Sequence, residues 1–452
     1  MRIADLRGRR VAVWGFGHEG RAAIHALRQR CTDQHFTLFC SAVEADTARA
    51  FDAALEVVAG EPDAAMLGQY DVVVKSPGIS AYKPALLAAQ VQGTQITSGT
   101  ALWFGENPDA RVIAVTGTKG KSTTSALIAH LARALAVRTA LAGNIGMPML
   151  ELLDQQAELW VIELSSFQTG EAAPLELGVI TSLYEEHLDW HGSRERYVAD
   201  KLRLADSSRQ LLVNALQPVL MERTASHPHR LLFGQPSGWH VSDGWIRRGM
   251  REIFPVDRLA APGTHNALNA CAALAALETF GLDAVTAAAS LASFRPLPHR
   301  LQPLGERDGW HWVNDSISTT PLATLAALES LGGRSVTVLV GGHDRGLDWS
   351  PFVDAVCDAP PNAIVCMGSN GARIESALRA ADVRCPIVRV DDLTAAIAAA
   401  KARTPVGGVI LLSPGAPSFD QFRDYAERGR RFADQGSFDG ASITGIDGLG
   451  IH

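Results

Sequence analysis

The run Thr116-Gly117-Thr118-Lys119-Gly120-Lys121-Ser122-Thr123 sets glycines, lysines and hydroxyls directly after the apolar segment Val112-Ile113-Ala114-Val115. A Gly-rich turn between a strand and a helix lets backbone N–H groups converge on phosphate oxygens at the helix N-terminus. Lys121 would neutralise β and γ oxygens, and the Ser122 hydroxyl would ligate Mg2+. Val115 stands where the common eight-residue pattern has its first glycine, so the loop is a shortened variant. A plain strand–turn–helix junction has no need of Gly-Lys-Ser, and the loop is expected to bind a nucleoside triphosphate.

Acids and imidazoles follow in order. Glu163 comes after Trp160-Val161-Ile162, at the carboxyl end of a central strand, where an acid is placed to hold Mg2+. The next strand leads to Glu185-Glu186-His187-Leu188-Asp189-Trp190-His191, and Tyr197–Arg203, with Lys201, reads as a helix. Singly, each is a solvated or hydrogen-bonded core residue, and His191 keeps that reading. Together, behind a phosphate loop, they form a constellation. Earlier in the chain, Gly15-Phe16-Gly17-His18-Glu19-Gly20 opens a helix as a dinucleotide fold does, but close strand–helix packing explains those glycines equally well. The acid that would hold a ribose is missing from Leu38-Phe39-Cys40-Ser41. Ser76-Pro77-Gly78-Ile79 is a second tight loop, and two such loops at the strand ends of one open sheet favour a nucleotide-like ligand.

The elements that must position these groups are short β-branched runs: Val11–Trp14, Val72–Val74, Val112–Val115, Trp160–Glu163, Val179–Thr181, Ser335–Val340, Ala363–Met367 and Val409–Leu412. Ala-rich helical stretches such as Asn269–Leu277 and Leu393–Lys401 lie among them, and the helix after the phosphate loop is expected from Ser125. Such alternation predicts an α/β protein with parallel sheets covered by helices. Breaks expected near 95–108 and at Arg295-Pro296-Leu297-Pro298-His299-Arg300 give three domains, 1–97, 98–296 and 297–452. The Gly- and Ser-rich tail after Gly436 has little periodicity and is expected to be poorly ordered.

A net charge of -7 over 452 residues argues against a general nucleic-acid or anionic-membrane binder. No apolar run is long enough to span a bilayer, and the start Met1-Arg2-Ile3-Ala4-Asp5 does not read as a signal peptide. The six cysteines form no CxxC pair and no zinc spacing, so buried free thiols in a reducing cytoplasm are expected.

The phosphate loop, Gly143-Asn144-Ile145-Gly146, Glu163-Leu164-Ser165-Ser166-Phe167-Gln168, His187-Leu188-Asp189, the Lys201 helix, His265-Asn266-Ala267-Leu268-Asn269 and Pro298-His299-Arg300 together resemble the Mur ligases. Ser76-Pro77-Gly78-Ile79, Asn314-Asp315-Ser316 and Ser418-Phe419-Asp420-Gln421-Phe422 narrow the resemblance to the branch that joins glutamate to UDP-N-acetylmuramoyl-L-alanine. It implies a Rossmann-like UDP-binding domain, a central P-loop ATPase with a mainly parallel sheet, and a Rossmann-like C-terminal domain that brings in the amino acid. ATP would be bound by Gly117, Thr118, Lys119, Gly120, Lys121, Ser122 and Thr123, with Asn269, Arg300 and Asp315. Mg2+ would be held by Ser122, Glu163, His187 and a carbamylated Lys201; Lys121, Glu163, His187 and Lys201 would carry catalysis. Ser76, Pro77, Gly78 and Asn144 would face the UDP-sugar, and Thr319, Arg345, Ser418 and Tyr425 the incoming glutamate. The resemblance further implies a cytoplasmic monomer in peptidoglycan precursor synthesis, working through an acyl phosphate.

Two departures fall in the amino-acid pocket. Ile317 stands where D-glutamate-adding members carry lysine, and Arg345, within Gly341-Gly342-His343-Asp344-Arg345-Gly346, replaces a second lysine. A planar fork and a point charge grip a carboxylate differently. These changes favour L-glutamate as the substrate, with D-glutamate the alternative. A nucleotide-binding regulator need not keep Lys121, Glu163, His187 and Lys201, and a dehydrogenase leaves the phosphate loop unexplained.

Overall fold

The computed structural model describes residues 1–184, 191, 193–260, 263–446 and 448–451. Two compact units form: Met1–Val256 with Leu268–Leu291 and Gly448–His452, and Asp257–Ala267 with Ala292–Asp447.

The first unit holds two parallel sheets. One runs in the order Glu56–Ala59, Phe36–Cys40, Val11–Trp14, Val72–Lys75, Gln95–Ser98. Strand order reverses between Val11–Trp14 and Val72–Lys75, so the loops at Gly15 and Ser76 lie at the topological switch point, where open sheets bind ligands. The other runs Arg230–Phe233, Ser208–Asn214, Leu175–Ile180, Val112–Thr116, Leu159–Glu163, Thr139–Gly143 and Gly450–Ile451, antiparallel only in its last pair. Val112–Thr116 is buried along its whole length, as a strand covered on both faces by helices must be. Its neighbours end at Glu163 and Ile180, so the phosphate loop, the acid and Thr181 emerge side by side.

The second unit carries a six-stranded sheet in the order Gln302–Arg307, Trp310–Asn314, Val409–Leu412, Val336–Val340, Ala363–Cys366, Ile387–Arg389. Its first pair is antiparallel and the rest parallel. Asp315, Ser413 and Gly341 therefore follow three adjacent strands.

Several expectations change. Within the stretch 95–108, where a domain break is expected, Gln95–Ser98 is a strand and Gly99–Glu106 a helix that buries Leu102, Trp103 and Phe104, with Ser98 accepting from the Ala101 amide at its start. The helix after the phosphate loop begins at Lys121 rather than Ser125, because Gly120, not a side chain, forms its N-cap. In the tail, Gly450–Ile451 pairs with Leu141 and Ala140, a strand too short to be read from sequence. A three-stranded antiparallel sheet, Trp239–Ser242, Trp245–Arg248 and Arg251–Pro255, was not expected. Its first turn places Asp243 at φ +53° and Gly244 at φ +76°. Both central residues at positive φ is what an Asp-Gly hairpin turn requires, so the signal was present in the sequence. The six cysteines are free, and Cys31, Cys40, Cys271 and Cys366 are buried. Among the described residues no helix is long and apolar enough to cross a membrane.

Candidate active site

The phosphate loop is built on steric necessity. Gly117 sits at φ +150°, and a Cβ there would collide with Thr181 Oγ1. Gly120, at φ +85°, caps the helix Lys121–Ala134 and leaves no room for a side chain beside Asn269 Oδ1. The loop is then pinned from the neighbouring strand end: Thr118 N donates to Ser182 O at 2.9 Å and Lys119 N to Ser182 Oγ at 2.8 Å. Lys121 Nζ reaches Thr118 O at 3.2 Å, and Thr124 Oγ1 lies 3.4 Å from Asn269 Oδ1. Lys121, Ser122 and Thr123 thus open the helix, with Asn269 packed against its first turn.

Glu163 is fully buried at the end of its strand. Its Oε1 accepts from Asn144 Nδ2 at 2.7 Å, while Oε2 has no hydrogen-bond partner among the described residues. A buried carboxylate oxygen left bare is costly unless a cation meets it, so the site fits Mg2+. Asn144, expected to face the UDP-sugar, is exposed, and its amide orients this acid.

Helix Arg194–Ser207 begins with Ser193 accepting from the Arg196 amide, a cap that stabilises by about 1 kcal/mol. It buries Tyr197, Asp200, Lys201 and Leu204, a stripe at helical spacing that carries two charged side chains into the core. Lys201 Nζ donates to Gly117 O at 3.0 Å, so the helix touches the phosphate loop directly. His187 lies outside the described residues, as do Glu185, Glu186 and Asp189. No group of three His, Cys, Asp or Glu side chains that could hold a metal occurs among the described residues.

A chain of three buried groups and the half-buried Tyr82 was missed by sequence reasoning. His191 Nδ1 lies 2.7 Å from Asp200 Oδ2, and its Nε2 lies 3.0 Å from Ser166 Oγ. Tyr82 Oη donates to Asp200 Oδ1 at 2.6 Å. Burial lowers the His191 pKa against the pull of Asp200. Burial, then Asp200, pushes the Tyr82 phenol up to about 12, which keeps it a donor at neutral pH. The core reading of His191 is therefore what the structure shows, but its partners reach beyond the central sheet.

In the first sheet, a Cβ on Gly15 would press on Ser76 Oγ and one on Gly20 would collide with Gly15 O. Packing against the Ser76 loop thus accounts for Gly15, and close packing within the turn itself for Gly20. Ser76 and Pro77 are half-buried and Gly78 is exposed along the switch point. Glu19, in the first turn of helix His18–Arg30, has its pKa raised to about 7 by burial and by the nearby Glu171 and Glu151.

The second unit holds Arg300, Asp315, Thr319, Arg345, Ser418 and Tyr425. Asp315 is saturated by its own surroundings: Leu301 N at 3.0 Å, Ser318 Oγ at 2.5 Å and Ser413 Oγ at 2.8 Å. Burial pushes its carboxyl up, and these hydrogen bonds pull it back. Arg428, unnoticed in the sequence, is 1% exposed and donates to Ser316 Oγ, Ser316 O, Ala416 O and Pro417 O, tying together two strand-end loops. Burial brings its guanidinium down to about 10. Arg345 is exposed, with its guanidinium carbon 5.8 Å from the Phe419 ring centre, and Thr319 is exposed as well. Ser418 is buried, and Tyr425 packs edge-on to His299 at 5.9 Å.

Three family models match in order along the chain: Mur ligase MurD-like, N-terminal domain over residues 9–98; Mur ligase middle domain over 115–277; and Mur ligase, glutamate ligase domain over 299–415. A protein of Xanthomonas axonopodis pv. citri named UDP-N-acetylmuramoyl-L-alanine--L-glutamate ligase is 49% identical, covering 100% of both chains. One of the same name from Micromonospora sp. is 39% identical over 96% of this chain and 98% of its own. The fold is also that of a Thermotoga maritima UDP-N-acetylmuramate-alanine ligase, with a TM-score of 0.61 at 18% identity over 95% of this chain and 99% of the other. The MurF ligase of Thermotoga maritima, solved with ADP, gives 0.59 at 16% identity over 98% and 97%. With full-length relatives at such identity and all three domain models in register, the chain belongs to the Mur ligase family.

Proposed function

We propose that this chain joins L-glutamate to UDP-N-acetylmuramoyl-L-alanine at the expense of ATP, through an acyl phosphate. The observation that carries the reading is the pairing of a phosphate loop with Glu163, whose buried Oε2 meets no donor among the described residues, on the adjacent strand end. The names of the full-length relatives support the substrates, and Ile317 and Arg345 in the amino-acid pocket support the L-isomer.

Glu163, Ser122, His187 and a carbamylated Lys201 would hold Mg2+, which supplies charge neutralisation at the phosphates when bound. Carbamylation would turn a buried cation into an anion while keeping the Nζ–H that donates to Gly117 O. The backbone of Gly117–Lys121 cradles the triphosphate, and Lys121 offsets its charge. The alanine carboxylate attacks the γ-phosphorus, ADP leaves, and an acyl phosphate forms. The glutamate amine then attacks the carbonyl carbon, phosphate leaves, and the amine's proton passes to a base. Arg300 and Asp315 would meet ATP, Ser76–Gly78 and Asn144 the UDP-sugar, and Thr319, Arg345, Ser418 and Tyr425 the glutamate. The domains would divide at 97/98 and 296/297. The working form is a monomer of the cytoplasm, where ATP and nucleotide-linked sugars are available.

The test is phosphate release with ATP, Mg2+ and UDP-N-acetylmuramoyl-L-alanine, comparing L- with D-glutamate. Release with L-glutamate alone is expected. Release with D-glutamate alone would overturn the stereochemistry, and no release with either would overturn the ligase.

A further inference from the structure

The chain Tyr82–Asp200–His191–Ser166 is more than core filling. Its members come from four separate segments of the first unit, linked at 2.6, 2.7 and 3.0 Å. Thr169 Oγ1 donates to Asp200 O at 2.6 Å, fixing the helix turn from which the carboxylate projects. Arg196 lies over the Tyr82 ring, its guanidinium carbon 4.5 Å from the centre, and so holds the phenol in place. His191 is fully buried, and Asp200 and Ser166 are nearly so.

The positions of these residues in the chain decide what the network does. Asp200 precedes Lys201, Ser166 follows Glu163 by three residues, and His191 follows His187 by four. Among the described residues, the segments of Glu163 and Lys201, two of those read as holding the metal, are therefore anchored to the same carboxylate–imidazole pair. Tyr82 is the fourth member and the odd one, because it follows Gly78 on the loop read as holding the UDP-linked substrate. Apolar side chains of similar volume would pack this interior at least as stably. A saturated polar chain instead fixes direction and register, and removing one end leaves a buried carboxylate oxygen bare.

We propose that Tyr82 is a positioning residue whose hydrogen bond to Asp200 couples occupancy of the Ser76–Gly78 loop to the geometry of the metal-holding segments. The inference rests on the ligase reading for the identity of the two ligands. Coupling of this kind is reciprocal: a substrate that settles the loop tightens metal binding, and the metal tightens the substrate. Tyr82→Phe keeps the ring under Arg196 and removes only the phenolic donor.

The test measures Mn2+ affinity, from the electron paramagnetic resonance signal of the free ion, with and without UDP-N-acetylmuramoyl-L-alanine. In the wild-type chain the substrate is expected to tighten Mn2+ about tenfold. In Tyr82→Phe that enhancement is lost, KM for the UDP-substrate rises about tenfold, and KM for glutamate stays unchanged. Asp200→Asn should reproduce the effect; if it fails to fold, Mn2+ binding and KM in folded Tyr82→Phe still decide. Full enhancement and an unchanged KM in Tyr82→Phe would overturn the proposal. A wild-type chain that binds both ligands with coupling but releases no phosphate would instead sink the ligase reading and leave the coupling standing.

Discussion

Two buried carboxylates, each at the carboxyl end of a parallel strand, meet opposite treatment in the two units. Among the described residues Glu163 takes one hydrogen bond, from Asn144, and its second oxygen has no partner. Asp315 takes three, from Leu301 N, Ser318 Oγ and Ser413 Oγ. Burying a carboxylate without partners costs several kcal/mol, so a fold keeps such a group only where something else arrives to meet it. Glu163 is thus poised toward a ligand, whereas Asp315, even where it would meet ATP, already ties the start of strand Gln302–Arg307 to the loops after Trp310–Asn314 and Val409–Leu412. Arg428 extends the contrast, because its buried guanidinium is met by four oxygen acceptors of its own unit. The first unit leaves charge open for ligands. The second closes its buried charges and offers Arg345 and Thr319 from the surface.

The largest expected effect tests the open side. Glu163→Gln should lower kcat for phosphate release about 10³-fold while leaving the Tm unchanged or higher, as measured by steady-state kinetics and a thermal melt. A large fall in Tm would show that this acid, too, is structural. Asp315→Asn should do the reverse in emphasis, costing about 2–4 kcal/mol in urea unfolding because a donor replaces an acceptor among three donors.

A third prediction uses pH. Burial, with Arg430 nearby, pushes His299 down to about 4 from an ordinary 6.5, with Asp424 opposing. As pH falls below about 6.5 the unfolded chain takes up a proton that the folded chain refuses. The stability held above that pH is therefore lost as pH falls toward 4, by about 2–3 kcal/mol. Urea midpoints at pH 7 and pH 4.5 should converge for His299→Gln relative to wild type. Equal pH slopes for the two would remove His299 from the account. The smallest effect sharpens the surface side: Arg345→Lys should raise KM for glutamate about tenfold and narrow the preference for L over D, with kcat unchanged.

Much of this contrast was legible in the sequence and some was not, for identifiable reasons. Gly-Lys-Ser after an apolar strand needs a phosphate, and Glu163 follows a strand of the same kind, so both could be placed from local pattern. Asp200 could not, since its role depends on Tyr82, 118 residues away. The spacing of Tyr197, Asp200, Lys201 and Leu204 did mark one helix face, but which face is buried is a tertiary fact. Arg428 sits among Arg430 and Arg431 in a polar helix, and nothing in spacing sets it apart. The two-residue strand Gly450–Ile451 is too short to carry any pattern.

The most direct measurement follows oxygen. With the alanine carboxylate of UDP-N-acetylmuramoyl-L-alanine labelled with oxygen-18, and ATP, Mg2+ and L-glutamate supplied, the released phosphate is weighed by mass spectrometry. One labelled oxygen per phosphate is predicted, because the carboxylate attacks the γ-phosphorus and its oxygen leaves with the phosphate. Unlabelled phosphate alongside amide formation would contradict the acyl-phosphate route.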